Sequence, residues 1–277
     1  MTNESKKEVM LDNTRNIEVP QIAILIADCH DNFFGEIRQG IHSRIWKPFQ
    51  DAGYQIFYIK GTKPNSLEMI LNYISDKLRH THFQFIQYFI NKLFIEKIDK
   101  RKIKIINSNN NLLVDIPEGL RHIALKMLLG MKYLEEKGFK IVYRTTTSSI
   151  LSFDNFNKVL QSINMDRVIY KGSKGQHNGI TFISGANTLI DSKAINILFG
   201  EINRINFGYL DDVAFSKILW PYIDENDISS VSIGSTTELN YLNSEQASEI
   251  VHFRCRSYEK PRDDLKIMNY VCEFLGI

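Results

Sequence analysis

Ile22-Ala-Ile-Leu-Ile-Ala27, running straight into Asp28-Cys-His-Asp31, is the stretch that decides the fold. Unbroken apolar residues over strand length read as a strand covered on both faces, the pattern of a parallel sheet. Polar residues then mark the strand's carboxyl end. The pattern predicts a helix from about Phe34 to Asp51, stopped by Gly53, and a second strand at Tyr54–Ile59. This β-α-β opening makes the expected fold class α/β, with a Rossmann-type, mostly parallel central sheet flanked by helices.

Outward from that opening the same alternation continues. A short strand is expected at Ile103–Ile106, and Leu112-Leu-Val114 reads as strand or extended chain. Glu118 to Gly138 reads as a helix with a broad apolar face (Leu120, Ile123, Leu125, Leu128, Leu129, Met131, Leu134) and a glycine stop. Ile141-Val-Tyr143 is a strand that delivers Arg144-Thr-Thr-Thr-Ser148 to its end, ahead of a helix over 153–163. A strand follows at Asp166–Lys171, then the loop Lys171-Gly-Ser-Lys-Gly175. Thr181–Asn187 is a strand entering a small-residue turn, and Asp191 or Ser192 caps a helix. Tyr209-Leu-Asp-Asp-Val213 opens another helix. Strands near Ser229–Ile233 and Ile250–Arg254 and a helix over Leu265–Leu275 complete the chain.

Two regions stand apart. Residues 1–19 read as a polar leader, and residues 20–277 as a single domain carrying a helical insertion at about 66–104. In that insertion Leu67, Ile70, Leu71, Ile74, Leu78, Phe85, Ile86, Phe89, Ile90, Leu93 and Phe94 recur near helical spacing, with Lys77, Arg79, Lys92 and Lys97 between them. One reading packs these helices on the sheet or on a second subunit in a homo-oligomer. The other lays them on a membrane surface as a peripheral contact, since aromatic and basic residues on one helix suit anionic lipid.

Composition narrows the classes. An apolar share of 43% and a charged share of 24% over 277 residues suit one globular domain with a sizeable core. A net charge of +2 gives no reason to expect nucleic acid. Cys29, Cys255 and Cys272 are far apart and odd in number, which argues against a zinc site and for a reducing, cytoplasmic setting. No apolar run reaches the ~18 residues of a membrane span. Abundant Ile, Asn and Lys suit an AT-rich bacterial or viral genome.

Ligands of open α/β sheets bind outside the carboxyl ends of the strands. Arg144, Thr145, Thr146, Thr147 and Ser148 stand at one such end, and Ala27, Asp28 and Asp31 at another. Hydroxyls there can hydrogen-bond a ligand but hold a hard cation poorly, because divalent metals want carboxylates. Asp28 reads equally as a helix cap. Asp211 and Asp212 open a helix, where carboxylates are also favoured by the dipole. They are adjacent, so about 100° separates them and only one need face a site. His252, Arg254 and Arg256 alternate, placing three cation-capable side chains on one face of a strand. The bland reading is a solvated strand face. The sharper one is an anion site, since Arg forks bind phosphate bidentately. Lys171–Gly175 lacks the full phosphate-loop pattern and reads as a mobile loop able to close over a ligand.

Several of these blocks, in order over about residues 20–220, together resemble the fringe and β1,3-galactosyltransferase family. Leu113-Val-Asp-Ile-Pro-Glu-Gly-Leu-Arg-His-Ile-Ala-Leu-Lys126 and the helix after it resemble the segment ahead of that family's metal motif. Phe182-Ile-Ser-Gly-Ala-Asn-Thr-Leu-Ile190 resembles its "CSGGGYVLS" turn, Leu210-Asp-Asp-Val213 its "EDV" motif, and Arg44 with Trp46 its "IRxTW" helix. The resemblance implies a GT-A-type fold and an inverting glycosyltransferase moving a sugar from a nucleotide donor, UDP-linked, to a glycan hydroxyl. It implies Asp212 as base, Asp211 on acceptor hydroxyls, and Gly185 and Ala186 where backbone approaches the sugar. It places the donor against Asp28, Asp31, Arg144 to Ser148, His252, Arg254 and Arg256. The family's three metal-binding acids fall on Thr146, Thr147 and Ser148, so the expectation is a transferase without a divalent metal or other cofactor. The rival expectation is a catalytically inactive glycan- or nucleotide-binding module of the same fold. A methyltransferase is disfavoured, because no glycine-rich turn follows Ile22–Ala27.

Overall fold

The computed structural model describes residues 21–79, 103–177, 179–207, 209–223, 227–235, 238–243 and 245–277. The expected leader and most of the insertion beyond Arg79 lie outside the described residues. Seven strands form one sheet in the order β3-β4-β2-β1-β5-β8-β7: β1 (Ile22–Ala27), β2 (Gln55–Thr62), β3 (Ile105–Ser108), β4 (Asn111–Pro117), β5 (Ile141–Thr146), β7 (Tyr170–His177) and β8 (Ile180–Asp191). The four strands β4, β2, β1 and β5 pair in parallel; β3 and β8 run against them, and β7, antiparallel to β8, returns to the common direction. The fold is therefore α/β with a mostly parallel sheet, as the Ile22–Ala27 run predicts.

Alternation within β1 explains the layers. Ile22, Ile24 and Ile26 enter one core with α1 (Asn32–Gly40), α2 (His42–Asp51), α5 (Phe153–Gln161) and α8 (Asp264–Leu275). Ala23 and Leu25 enter the other, with α4 (Ile123–Glu136), α6 (Ser192–Gly200) and α7 (Asp211–Leu219). A strand covered on both faces has no polar side, which is why its sequence shows none.

A second sheet of three short strands, β6 (Ser149–Leu151), β10 (His252–Cys255) and β9 (Ser230–Ile233), leans on the first core. β6 follows β5 after two residues, so the chain steps from one sheet into the other at Thr147-Ser148. In register, Ser149 faces Arg254, and the Cys255 amide donates to the Ser148 carbonyl at 2.8 Å.

Three local expectations are corrected. The helix predicted over Phe34–Asp51 is two helices, because Ile41 leaves helical geometry (φ −134°) directly after Gly40. The stretch Lys171–Gly175 is not a mobile loop; it is the body of β7. Its glycines permit close approach: a Cβ on Gly172 would stand 1.9 Å from the Asn187 carbonyl oxygen. The turn expected at Gly185–Asn187 is a bulge inside β8. Gly172 pairs with Thr188 and Lys174 with Ile183, so Ser173 alone opposes the four residues Ser184–Asn187.

Candidate functional site

The carboxyl ends of the parallel strands carry two clusters of charge. The first lies beyond β1, β2 and β4. Asp28 is buried, and its Oδ2 meets Lys60 at 3.1 Å and Arg38 at 3.3 Å. Arg38 lies 3.9 Å above the Tyr58 ring centre and donates to Asn111. Lys126, from α4, donates to the Asp28 carbonyl at 3.0 Å and to Glu118 at 2.5 Å. Glu118 in turn accepts the Gly61 amide at 2.6 Å. Asp31 is separate: it caps α1 by accepting the Phe33 amide at 2.9 Å. The expectation that Asp28 could serve as the helix cap is thus met by Asp31 instead.

The second cluster gathers at the ends of β5 and β8, the start of α7 and the edge of β10. Arg144 and Asp211 form a buried ion pair at 2.7 Å, each side chain 7% exposed. Gly185 makes this possible: a Cβ there would sit 2.0 Å from the Arg144 Nη1 atom. The small residue therefore accommodates a guanidinium, and the approach predicted for a sugar is taken by Arg144. Asp212 accepts the Val213 amide at 2.8 Å and more loosely the Gly185 amide at 3.4 Å. Burial, and next the neighbouring Asp211 charge, push its pKa above the usual aspartate value; Arg144 opposes them. A cavity between α4, α7 and β8 is lined by Met131, Arg144, Thr188, Asp211, Asp212 and Phe215, among others.

β10 borders this cluster. Burial, followed by the charges of Arg256 and Arg144, pushes the Arg254 pKa down, while Asp212 acts in the opposite sense. Arg254 is half-buried and Arg256 exposed, and among the described residues no carboxylate lies within ion-pair distance of either. His252 is fully enclosed, its pKa pushed down to about 3 by burial and by Arg254. Two buried nitrogens here have no hydrogen-bond partner, His252 Nε2 and Arg144 Nε. Buried polar atoms in folded proteins are nearly always satisfied, so orphans call for an explanation.

The hydroxyl run is bound inward. Thr145 Oγ1 donates to the Ala186 carbonyl at 2.9 Å, Thr146 bonds Ser149 at 2.9 Å, and Ser148 donates to Asp264. The Thr147 carbonyl accepts from His42 Nε2 at 2.7 Å. A carbonyl only accepts, so Nε2 carries the hydrogen and Nδ1 accepts from the Tyr58 hydroxyl at 2.9 Å. Burial lowers this imidazole's pKa to about 4 and keeps it neutral. Asp264 also receives Arg262 at 2.7 and 2.5 Å and the Ser257 amide at 2.9 Å. The Arg262–Asp264 clamp on Ser148 was not foreseen; its only sequence signal is the basic and acidic string Arg262-Asp-Asp264.

A divalent cation fits this donor set poorly. Thr146, Thr147 and Ser148 supply neutral oxygens, two of whose hydroxyls are engaged with protein, and Asp211 is held by Arg144. Among the described residues no group of three or more His, Cys, Asp or Glu is placed to hold a metal. The structure brings together Arg144, Gly185, Asp211 and Asp212, with Arg254 and His252 bordering them, whereas Thr145 turns to the Ala186 carbonyl, Thr146 to Ser149, Thr147 to His42 and Ser148 to Asp264 and Arg262. Asp28 belongs to the other cluster, and Asp31 to the start of α1.

No family model and no curated protein matches the chain. Solved structures similar in fold include a glycosyltransferase involved in glycosylation of the major capsid of PBCV-1 (TM-score 0.43, 9% identity, 92% of this chain and 99% of that one). The galactosyltransferase LgtC, in complex with donor and acceptor sugar analogs, is similar at a TM-score of 0.45 and 11% identity, over 92% of this chain and 95% of that one. The glycosyltransferase GlyE of Streptococcus pneumoniae TIGR4 is similar at 0.39 and 12%, over 92% of this chain and 63% of that one.

Proposed function

We propose that this chain is a glycosyltransferase of GT-A type. It moves a sugar from a nucleotide donor, UDP-linked, to a glycan hydroxyl, with inversion and without a divalent metal. The observation that carries the reading is the asymmetry of the two adjacent carboxylates. Arg144 clamps Asp211, whereas among the described residues Asp212 bonds only backbone amides and has its proton affinity raised. A general base works best when its pKa is lifted towards the operating pH. In the proposed step Asp212 takes the proton of the acceptor hydroxyl. The oxygen attacks the anomeric carbon from the face opposite the leaving group, and the bond to the nucleoside diphosphate breaks. Arg254 and Arg256, with no carboxylate of their own among the described residues, balance the charge that departs on the diphosphate. The order of sequence blocks over residues 20–220 supports the same reading.

A second reading has its own observation. The hydroxyls of Thr145, Thr146 and Ser148 are bound internally, and Arg144 is neutralised. A binding module that has lost catalysis would look like this. Turnover separates the two. Incubation with UDP-sugars and a panel of free saccharides should release UDP at a rate that survives excess EDTA. Complete loss in EDTA with rescue by Mn²⁺ would refute metal independence, and no UDP release from any donor would favour the module.

A further inference from the structure

The helix α3 (Ser66–Arg79) leaves a large apolar stripe uncovered. A globular helix buries its apolar stripe and shows solvent its polar face. Here Leu67, Met69, Ile70, Tyr73 and Ile74 are 59%, 54%, 57%, 65% and 39% exposed. They fall on one face at helical spacing. Leu71 and Leu78 are half-buried, and polar groups also tie the helix to the protein: Asn72 donates to the Glu118 carbonyl at 3.0 Å, and Glu68 meets His122 at 3.4 Å. Five large apolar side chains on four turns form a patch of the kind that marks an interaction surface.

The charges around the patch indicate what covers it. Lys77 ends the stripe with its ammonium 5.6 Å from the Tyr73 ring centre. Aromatic and lysine side chains pair in this way where an apolar phase meets water and anionic headgroups. Of the two acids in the helix, Asp76 adjoins Lys77 in sequence and Glu68 faces inward to His122. The sequence that continues from the helix is basic as well: residues 80–102 carry Lys92, Lys97, Lys100, Arg101 and Lys102 against Glu96 and Asp99. Among the described residues no helix is long and apolar enough to cross a membrane, so the fitting geometry is a helix lying on the surface.

We infer that α3 docks the protein on an anionic lipid surface, with Leu67, Ile70, Tyr73 and Ile74 in the interface and Lys77 at the headgroups. The inference is independent of the proposed catalysis. Its test is co-sedimentation of the full chain with vesicles of phosphatidylcholine and phosphatidylserine in equal parts. The protein should pellet with these vesicles and bind pure phosphatidylcholine at least about fivefold more weakly, the worth of one lysine near an anionic surface. Ile70→Glu with Ile74→Glu should abolish pelleting while leaving the melting temperature unchanged, and the milder Tyr73→Ser should weaken it. Failure of the unaltered chain to pellet overturns the inference. A melting temperature lowered by the glutamates overturns it too, because the stripe would then be covered by the chain itself. So would a dimer in sedimentation velocity that the same variants dissolve.

Discussion

Two charged clusters stand at the strand ends, and they are satisfied in opposite ways. Around Asp28 each charge has a counterpart: Arg38 and Lys60 on the carboxylate, Glu118 on Lys126, and Tyr58 and Asn111 under Arg38. Around Asp212 the pairing stops after Arg144–Asp211. Arg254 and Arg256 have no carboxylate among the described residues, and His252 Nε2 and Arg144 Nε have no partner. A closed network fixes structure, whereas an open one conflicts with folding and is kept where something else completes it. Under the proposed function, the first cluster serves stability and the second the chemistry.

Substitutions can break that assignment. The largest effect should come from Asp212→Asn, which keeps the shape and removes the proposed base. Transfer should fall by ~10²–10⁴-fold, with UDP affinity and melting temperature retained. A loss of stability instead would move Asp212 into the structural class. Next, Arg254→Ala and Arg256→Ala should each weaken UDP binding by about ten- to a hundredfold, the worth of a charge-assisted hydrogen bond, with folding unaffected. Calorimetric titration with UDP reads this directly. Asp28→Ala should behave in reverse. It leaves Arg38 and Lys60 without their carboxylate and should cost about 1–3 kcal/mol in urea unfolding, with UDP affinity little changed in the folded fraction.

A pH series sharpens the comparison further, because two histidines are buried and neutral: His42, between Tyr58 and the Thr147 carbonyl, and His252, beside Arg254. The folded pKa values of His42 and His252, about 4 and about 3, lie below the ordinary value of 6.5. Between those limits the unfolded chain binds more protons than the folded one, so stability falls as pH drops through 6.5 and is insensitive to these groups above it. Proton uptake on unfolding near pH 5 should approach two for these residues and drop to one in His252→Gln.

Much of the sheet was legible because burial on both faces leaves an unbroken apolar run, as in Ile22–Ala27 and Ile141–Tyr143. The amphipathic stripe of α4 was legible for a similar reason. What escaped were features set by distant partners. Asp28 is fixed by residues 10, 32 and 98 positions away in the chain, and no local pattern encodes that. The glycines of β7 read as loop residues because close backbone approach and flexibility use the same amino acid. The bulge at Ser184–Asn187 was sensed as a turn, since small residues signal a departure from regular pairing without saying which kind. In the candidate site, Arg144 was legible as a strand-end residue, and Asp211 and Asp212 as a helix start resembling the "EDV" motif. The clamp of Arg262 and Asp264 on Ser148 was not, because it joins residues more than a hundred positions apart.

That clamp has a temporal consequence. Ser148 lies at the step between the two sheets, yet the carboxylate that secures it comes from the first turn of α8. During synthesis the strands and the Asp28 network can assemble while the ribosome still holds the last helix. His42 can hold the Thr147 carbonyl early, but the Ser148 hydroxyl gains its carboxylate partner only once Asp264 has emerged, so this corner of the crossing is completed after the scaffold.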